Sequence, residues 1–244
     1  MEDVVVGRLI VFSGAGLSAE SGIRTFRGGT GLWNDVPVDE VCNYLTWRQN
    51  YRKVHDFYNG RRIDLADVEP NAAHRKIKQW QDRYETLLVT QNIDDLLERA
   101  GCKDVLHLHG FLTDMHCETC GAAWSMGYKA WNWEDRCLNI AIECDGWVKP
   151  SVIFFHERAP EYSRLSDILT DLRSDDVIVV MGTSARVIPF HIYLDGQPGF
   201  KIANNLEPDV KGINEHDRTF DVLLFKPATQ AVEDIDGILR QRLG

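Results

Sequence analysis

The chain has 244 residues and a formal net charge of −10, from 37 acidic and 27 basic side chains. This length suits one large domain, or one domain with a small added module, that buries a sizeable core. The acidic balance argues against a protein that binds nucleic acid by neutralising phosphates, and it favours a basic peptide as the partner.

The N-terminus predicts a protein that stays in the cytoplasm. It begins MEDVVVG, with acid where a secretory signal carries lysine or arginine. No apolar run approaches the roughly 20 residues of a membrane span. The six cysteines are then expected to stay reduced or to bind metal. We expect a cytoplasmic monomer with no membrane partner.

The first predicted element is a buried parallel strand that runs into a glycine-rich turn. Leu9 to Phe12 are all apolar, and Gly14 and Gly16 let the backbone turn tightly and approach a ligand. Backbone N–H groups in such a turn can bind an anion. The stretch therefore indicates a phosphate-binding turn, although its spacing is not G-x-G-x-x-G and a glycine pair after a strand is more often a plain tight turn.

A helical insertion is predicted over residues 29–70. It shows no strand pattern, and its run from Thr46 to Leu65 is typical of a helix, which we expect to lie over the glycine turn. A second helix begins at Asn71 and has its apolar residues on one face. That pattern predicts packing against a sheet.

Two more strands follow, and polar residues come directly after each. Thr86 to Thr90 predicts a buried strand, which Asn92 and Asp94 follow, and Val105 to Leu108 predicts a shorter strand before His109. Catalytic groups often lie where a parallel strand meets the next loop. The same asparagine and aspartate can equally cap a short helix.

Residues 114–146 differ from the rest of the chain and predict a metal-binding module. Four cysteines there follow the pattern C-x2-C-x16-C-x6-C, and thiolates in pairs suit a closed, tetrahedral, structural zinc site. The second pair is wider than usual, so the third ligand is either Cys137 or His116. Reduced cysteines without metal are the alternative. The candidate ligands are Cys117, Cys120, Cys137 and Cys144.

After Val148 the alternation of helices and strands returns. Strands are predicted over Val177 to Gly182, Lys201 to Asn204 and Val222 to Phe225, and helices over Glu161 to Leu172 and Val232 to Leu243. Apolar strands alternating with helices indicate an α/β fold with a doubly wound, parallel, Rossmann-like sheet. We expect this domain to comprise residues 1–28, 71–113 and 147–244.

Short motifs recur along most of the chain. GAGLSAESGIRTFR is followed by PNAAH, TQNID, HLHG, CETC, KPSVIFFHE, GTS and NLEP. In this order they resemble the sirtuin family of NAD-dependent protein deacylases, and most closely the bacterial and mitochondrial subgroup that removes succinyl and malonyl groups as well as acetyl groups. The resemblance implies NAD as cofactor, one structural zinc ion and an acyl-lysine protein or peptide as substrate.

The resemblance also implies roles for individual residues. His109 would be the general base on the NAD ribose, which suits imidazole because its pKa lies near 6.5. Asn92 would orient the ribose and the attacking groups, and Asp94 would hold the nicotinamide amide together with the backbone of Ile23. The other implied cofactor contacts are Gly14, Ala15, Gly16, Ser18, Phe26, Arg27, Gln91, Gly182, Thr183, Ser184, Asn205, Glu207 and Ala228.

The implied reaction joins the acyl group to ADP-ribose. The acyl oxygen attacks C1′ of the nicotinamide ribose and nicotinamide leaves. The base then helps the 2′-hydroxyl attack the acyl carbon, and water releases lysine and O-acyl-ADP-ribose. The peptide would lie as an added strand between the zinc module and the sheet, paired to backbone around Val152, Ile153 and Phe155.

Tyr58 and Arg61 predict which acyl group is recognised. Their i, i+3 spacing places them on one helix face, where a phenol and a guanidinium can converge on a carboxylate. They resemble the Y-x-x-R pair of the desuccinylase subgroup, in which alanine is usual at the position of Cys42. His156 replaces the glycine of the family's F-G-E motif, which leaves the peptide selectivity open.

Two other functions stay open from the sequence. An NAD glycohydrolase would keep Asn92 and His109 but would need neither the zinc module nor the Tyr58 and Arg61 pair. A non-catalytic NAD-binding module would not need Asn92 and His109. Nicotinamide release with and without a succinyl-lysine peptide separates the three functions.

Overall fold

The computed structural model describes residues 7–24, 36–137, 139, 142–209 and 212–244. Strands alternate with helices along these residues. The strands are β1 (Leu9–Ser13), β2 (Thr86–Thr90), β3 (Val105–His107), β4 (Gly110–Cys117), β5 (Ala123–Ser125), β6 (Val148–Val152), β7 (Val177–Met181), β8 (Phe200–Asn205) and β9 (Val222–Phe225). The helices are α1 (Gly16–Ala19), α2 (Val38–Val41), α3 (Tyr51–Ala66), α4 (Ala72–Arg83), α5 (Leu96–Arg99), α6 (Tyr162–Thr170), α7 (Phe190–Tyr193) and α8 (Ala228–Arg242).

Six of the strands form a parallel sheet in the order β3-β2-β1-β7-β8-β9. The register is regular, with Leu9 of β1 beside Thr86 of β2 and beside Val177 of β7. The chain moves outward in one direction from β1 and in the other from β7. At such a reversal the loops after neighbouring strands diverge and leave a crevice at the carboxyl ends. The predicted doubly wound α/β fold is confirmed.

Helices cover both faces of the parallel sheet. On one face, Leu9 packs in a cluster with Trp80 of α4 and Ile235 of α8. On the other, Phe12 contacts Phe190 of α7, with the ring centroids 4.7 Å apart. Because successive side chains of a strand point to opposite faces, a strand buried on both faces needs an unbroken apolar run. The sequence of β1 provides one.

The predicted helices are present, with differences at their ends. α4 begins after Asn71, whose side-chain oxygen accepts hydrogen bonds from the N–H groups of the first turn. α3 begins later than predicted because residues 44–50 form turns. α8 begins at Ala228, before the predicted Val232, since Pro227 is fixed at a φ of −51° and leads directly into the first turn.

The remaining strands form a small antiparallel sheet in the order β5-β4-β6. Its apolar side contains Met115, Trp131 and Val148 together with the cysteines. β4 begins before residue 114 and β6 lies entirely after residue 146. The predicted limits of the three units stay a prediction. Only residues 108 and 109 join β3 of the large sheet to β4 of the small one. This link places His109 between the two sheets.

The described part of the helical insertion packs on the small sheet through α3. The buried guanidinium of Arg62 donates to the carbonyl of Leu112 on β4 at 2.9 Å. The ring of His55 lies 3.1 Å from the carbonyl of Val148 on β6. These bonds fix α3 beside the junction of the two sheets.

Among the described helices, none combines the length and the apolar character needed to cross a membrane.

Candidate functional site

A cavity of about 1270 Å³ lies at the carboxyl ends of the parallel strands. The loops after β1, β2, β3, β7 and β8 line it, which is where a doubly wound sheet is expected to bind a ligand. Many of the residues predicted from the sequence meet there. They are Gly14, Ala15, Gly16, Tyr58, Gln91, Asn92, His109, Val152, Ile153, Phe155, Gly182, Thr183, Ser184, Asn205, Glu207 and Ala228.

The other predicted residues have different positions. Ser18 and Asp94 are buried beside Asn92. Ile23 packs against the cluster around α3. Arg61 is not among the residues that line the cavity in the described part of the chain. Two predicted cofactor contacts, Phe26 and Arg27, lie outside the described residues.

The glycine turn after β1 packs directly on the loop after β7. The N–H of Gly14 donates to the carbonyl of Met181 at 3.0 Å, and the N–H of Gly16 donates to that of Gly182 at 2.8 Å. A Cβ on Gly16 would lie 2.7 Å from the Cα of Gly182, which itself has a φ of +61°. Side chains here would push the two loops apart. The glycines therefore let exposed backbone form this wall of the cavity.

The side chain of Asn92 is held by one hydrogen bond and, within the described part of the chain, keeps an unpaired acceptor. Its Nδ2 donates to the Ser18 hydroxyl at 3.0 Å, and that hydroxyl donates to Asp94 at 2.9 Å. The Oδ1 of Asn92 is buried and has no hydrogen-bond partner among the described residues. A buried unpaired acceptor costs about 1–3 kcal/mol. This atom therefore points to a ligand that donates a hydrogen bond.

Asp94 has an unusual acidity. Burial raises the pKa of its carboxyl group to about 6, against the opposing effect of hydrogen bonds from the Leu96 N–H and the Ser18 hydroxyl. The group can therefore change its protonation state near neutral pH. Such a carboxyl beside a polar cavity is suited to bind an amide group of a ligand.

His109 is a neutral base whose tautomer follows from its neighbours. Its Nδ1 lies 3.0 Å from the carbonyl oxygen of Gln91, and its Nε2 lies 2.9 Å from the hydroxyl of Tyr162. Because a carbonyl only accepts hydrogen bonds, Nδ1 carries the proton and Nε2 offers its lone pair. Burial lowers the pKa of the ring, and the Gln91 carbonyl partly opposes this effect. The ring can therefore accept a proton at neutral pH.

The sequence predictions missed two contacts at the cavity, that of Tyr162 with His109 and that of Arg186 with Asp209. Tyr162 contacts His109 across 53 residues of chain. Arg186 forms a bidentate ion pair with Asp209, with distances of 2.9 and 3.0 Å, and both residues line the cavity. No local pattern marks these residues, because each contact depends on how distant loops meet.

The wall of the cavity near α3 is formed by aromatic side chains. The ring of Tyr58 stacks on Phe154 with centroids 5.6 Å apart, and only 3% of Tyr58 is exposed. Its hydroxyl forms a hydrogen bond with the thiol of Cys42, and burial raises the pKa of this phenol well above its usual value. The phenol is therefore uncharged and can donate to an acceptor.

The backbone stretch predicted to pair with a peptide is already partly paired. The N–H of Phe155 donates to the carbonyl of Cys42 at 3.0 Å, and its carbonyl accepts from the N–H of Tyr44 at 2.9 Å. The N–H of Ile153 donates to His109. His156, the residue after Phe155, is exposed and has a φ of +66°, a conformation that favours glycine. Its backbone groups have no hydrogen-bond partner among the described residues.

The four cysteines of the small sheet converge on one point. The sulfurs of Cys117 and Cys144 are 3.7 Å apart, and those of Cys120 and Cys137 are 3.6 Å apart. Zinc–sulfur bonds of about 2.3 Å in a tetrahedron require sulfur separations of about 3.8 Å. His116 is instead engaged with Ser151 and Glu118. The donor set therefore suits one structural zinc ion with four thiolate ligands.

Comparison with known proteins identifies the family. Residues 14–189 match the Sir2 family. An NAD-dependent protein deacylase of Helicobacter hepaticus is 40% identical over 259 aligned positions, which cover 96% of this chain and 98% of that protein. An NAD-dependent protein deacylase of Campylobacter jejuni is 37% identical over 233 aligned positions, which cover 93% of this chain and 93% of that protein. The chain belongs to the Sir2 family.

Solved structures of Sir2 proteins share the fold. A Sir2 homologue in complex with NAD superposes with a TM-score of 0.81 at 30% identity, covering 98% of this chain and 92% of that one. A mutant Sir2 homologue in complex with ADP-ribose gives a TM-score of 0.84 at 29% identity, covering 97% and 93%. This Sir2 chain is an NAD-dependent protein deacylase. The glycine-lined wall and the unpaired acceptor of Asn92 suit its nucleotide.

Proposed function

We propose that this deacylase removes succinyl and malonyl groups, as well as acetyl groups, from lysine side chains of proteins. Bound NAD supplies the ribose carbon that reacts with the acyl oxygen and the ADP-ribose that accepts the acyl group. The two acidic acyl groups differ from acetyl by a terminal carboxylate, so their recognition requires cationic and hydrogen-bonding groups at the end of the acyl pocket.

The observation that carries this proposal is an unsatisfied donor on Arg61. Its Nε is buried and has no hydrogen-bond partner among the described residues. Around it, the guanidinium lies 5.4 Å from the ring centroid of Phe57 and 3.5 Å from the Asp64 carboxylate. A buried N–H without an acceptor is costly. A ligand carboxylate would satisfy it and could accept two parallel hydrogen bonds from the fork.

Tyr58 provides the second group. It lies one turn before Arg61 on α3, so the two side chains share a helix face. Its neutral hydroxyl already borders the cavity beside Cys42. Together, a phenol donor and a guanidinium recognise a carboxylate better than either alone. Acetyl-lysine would leave both groups unused, which supports a preference for the acidic acyl groups.

The remaining site residues have proposed roles that follow from their atoms. The free Oδ1 of Asn92 accepts a hydrogen bond from a ribose hydroxyl, and Asp94 binds the nicotinamide amide. Nε2 of His109 takes the proton of the hydroxyl that attacks the acyl carbon. The peptide backbone pairs beside Val152 to Phe155, with His156 offering the groups that the chain itself leaves unpaired.

Replacing Arg61 with methionine tests the acyl preference. We expect kcat/KM for a succinyl-lysine peptide to fall about 100-fold, because each charge-assisted hydrogen bond contributes about 1.5–3 kcal/mol. Deacetylation of the same peptide sequence should change by less than about threefold. Arg52→Met, on the exposed surface of the same helix, is the matched control and should preserve both activities. An equal loss of the two activities in Arg61→Met would refute the role in acyl recognition.

A further inference from the structure

Tyr162 stands over the ring of His109 inside the cavity. It is the first residue of α6. Its hydroxyl oxygen lies 2.9 Å from Nε2 of His109, and the two ring centroids are 6.0 Å apart at 38°. The side chain is half-buried and lines the same cavity as the histidine. The phenol of Tyr162 is therefore hydrogen-bonded to the nitrogen through which His109 would act as a base.

The direction of this hydrogen bond follows from the other side of the ring. Nδ1 donates its proton to the carbonyl of Gln91, so Nε2 of the neutral ring has a lone pair and must accept. Burial raises the pKa of Tyr162, as does the nearby phenol of Tyr193. Tyr162 is therefore protonated throughout the neutral range and donates its O–H to Nε2.

Among the described residues, His109 is the one hydrogen-bond partner of the Tyr162 hydroxyl. Two residues thus face the imidazole, with the Gln91 carbonyl on one nitrogen and the Tyr162 hydroxyl on the other. No charged side chain contributes to the shift in the pKa of His109, which arises from burial and the Gln91 carbonyl. Within the part of the chain that the structure describes, the hydroxyl of Tyr162 is therefore the one side-chain group in hydrogen-bond contact with the ring.

We propose that Tyr162 is a positioning residue for the general base, holding Nε2 of His109 unprotonated and directed into the cavity until a substrate hydroxyl takes its place. This inference rests on the proposed role of His109 and extends it. An sp² nitrogen has a single lone pair and accepts one strong hydrogen bond. The phenol therefore binds the same lone pair that later accepts a hydrogen bond from the substrate hydroxyl. It also keeps the ring in the tautomer with the proton on Nδ1.

The proposal predicts a change in basicity that a purely structural role would not produce. A hydrogen bond donated to the neutral ring stabilises that form and lowers its pKa. Removing a bond worth about 1 kcal/mol should raise the pKa by about 0.5–1 unit. A stronger donor at the same position should lower it.

The experiment compares the wild-type protein with four altered proteins, and its readout needs no nucleotide. The pKa of His109 is measured by NMR in the ligand-free protein labelled at histidine, with its signal identified by its absence from His109→Ala. Tyr162→Phe should raise the pKa by about 0.5–1 unit. Incorporation of 3-fluorotyrosine at position 162, a more acidic phenol, should lower it. Tyr193→Phe removes a neighbouring phenol that does not contact the imidazole and should leave it unchanged.

Kinetics connect the same variants to the reaction. In single-turnover deacylation, the acidic limb of the pH profile of Tyr162→Phe should move to higher pH by the same amount, with nicotinamide exchange unchanged. Unshifted titration and an unshifted limb in both the phenylalanine and fluorotyrosine proteins would overturn the proposal, even if the phenylalanine variant melts lower. If His109→Ala still deacylates, the base role itself fails. If His109→Ala does not deacylate, and the Tyr162 variants change neither the pKa of His109 nor the acidic limb, only the positioning role fails.

Discussion

Replacing His109 with alanine is expected to lower deacylation by about a factor of 10² to 10⁴. His109 lines the cavity after β3, where burial lowers the pKa of its ring, and its Nε2 is the proposed proton acceptor. Without it the substrate hydroxyl must lose its proton to water. Exchange of labelled nicotinamide into NAD in the presence of acyl peptide should survive, because in the proposed reaction nicotinamide leaves before this proton is removed.

The two activities are measured on the same preparations. Deacylation is followed as release of unmodified peptide, and exchange as incorporation of labelled nicotinamide. His216→Ala is the matched control, because the side chain of that histidine is 88% exposed to solvent. It should retain both activities. Loss of exchange together with deacylation in His109→Ala would show that the residue acts in binding rather than as the base.

Removing zinc is expected to unfold the small antiparallel sheet. The module has a limited apolar core around Met115, Trp131 and Val148, and structural zinc contributes about 10–16 kcal/mol in small zinc-binding peptides. Without metal, four thiolates within 4.8 Å of one another would lose their shared cation. Because α3 and the link at His109 pack on this sheet, activity should be lost as well.

Chelation, metal content and tryptophan fluorescence test this expectation together. A strong chelator should lower the melting temperature and shift the emission of the buried Trp131 to longer wavelength. Cys137→Ala should lose the metal. Two variants are matched controls that should retain it: Cys102→Ala, buried in the parallel-sheet core, and His116→Ala. An unchanged melting curve with chelator, or full metal content in Cys137→Ala, would contradict the predicted site.

The fold could be predicted from the sequence where local patterns determine it. The short apolar run of β1 suits a strand buried on both faces, and the glycines after it permit the backbone contact seen between Gly16 and Gly182. The role of His109 came from the resemblance of its HLHG motif to the sirtuin family, because a histidine at the end of a strand is by itself more often a structural residue. In each case the structural requirement lies within a few consecutive residues.

Other features depend on contacts between distant segments. Spacing alone left Cys137 the least certain zinc ligand, with His116 as its substitute, because sixteen residues separate Cys120 from Cys137 and the sequence does not show how that segment folds back to the metal. The backbone bonds of Phe155 to the turn at Cys42 were equally hidden, since they join loops of two different units. The contact of Tyr162 with His109 joins residues 53 positions apart, so no local pattern could reveal it.

We expect this Sir2 chain to transfer the acyl group of a modified lysine to the ADP-ribose of NAD. The most direct measurement follows nicotinamide and O-acyl-ADP-ribose by mass spectrometry after incubation with NAD, with and without a succinyl-lysine peptide. We expect nicotinamide and O-acyl-ADP-ribose to form only when the peptide is present. The amount of each should equal the amount of deacylated peptide released. Nicotinamide release at the same rate without peptide, or peptide deacylation without O-acyl-ADP-ribose, would contradict the claim.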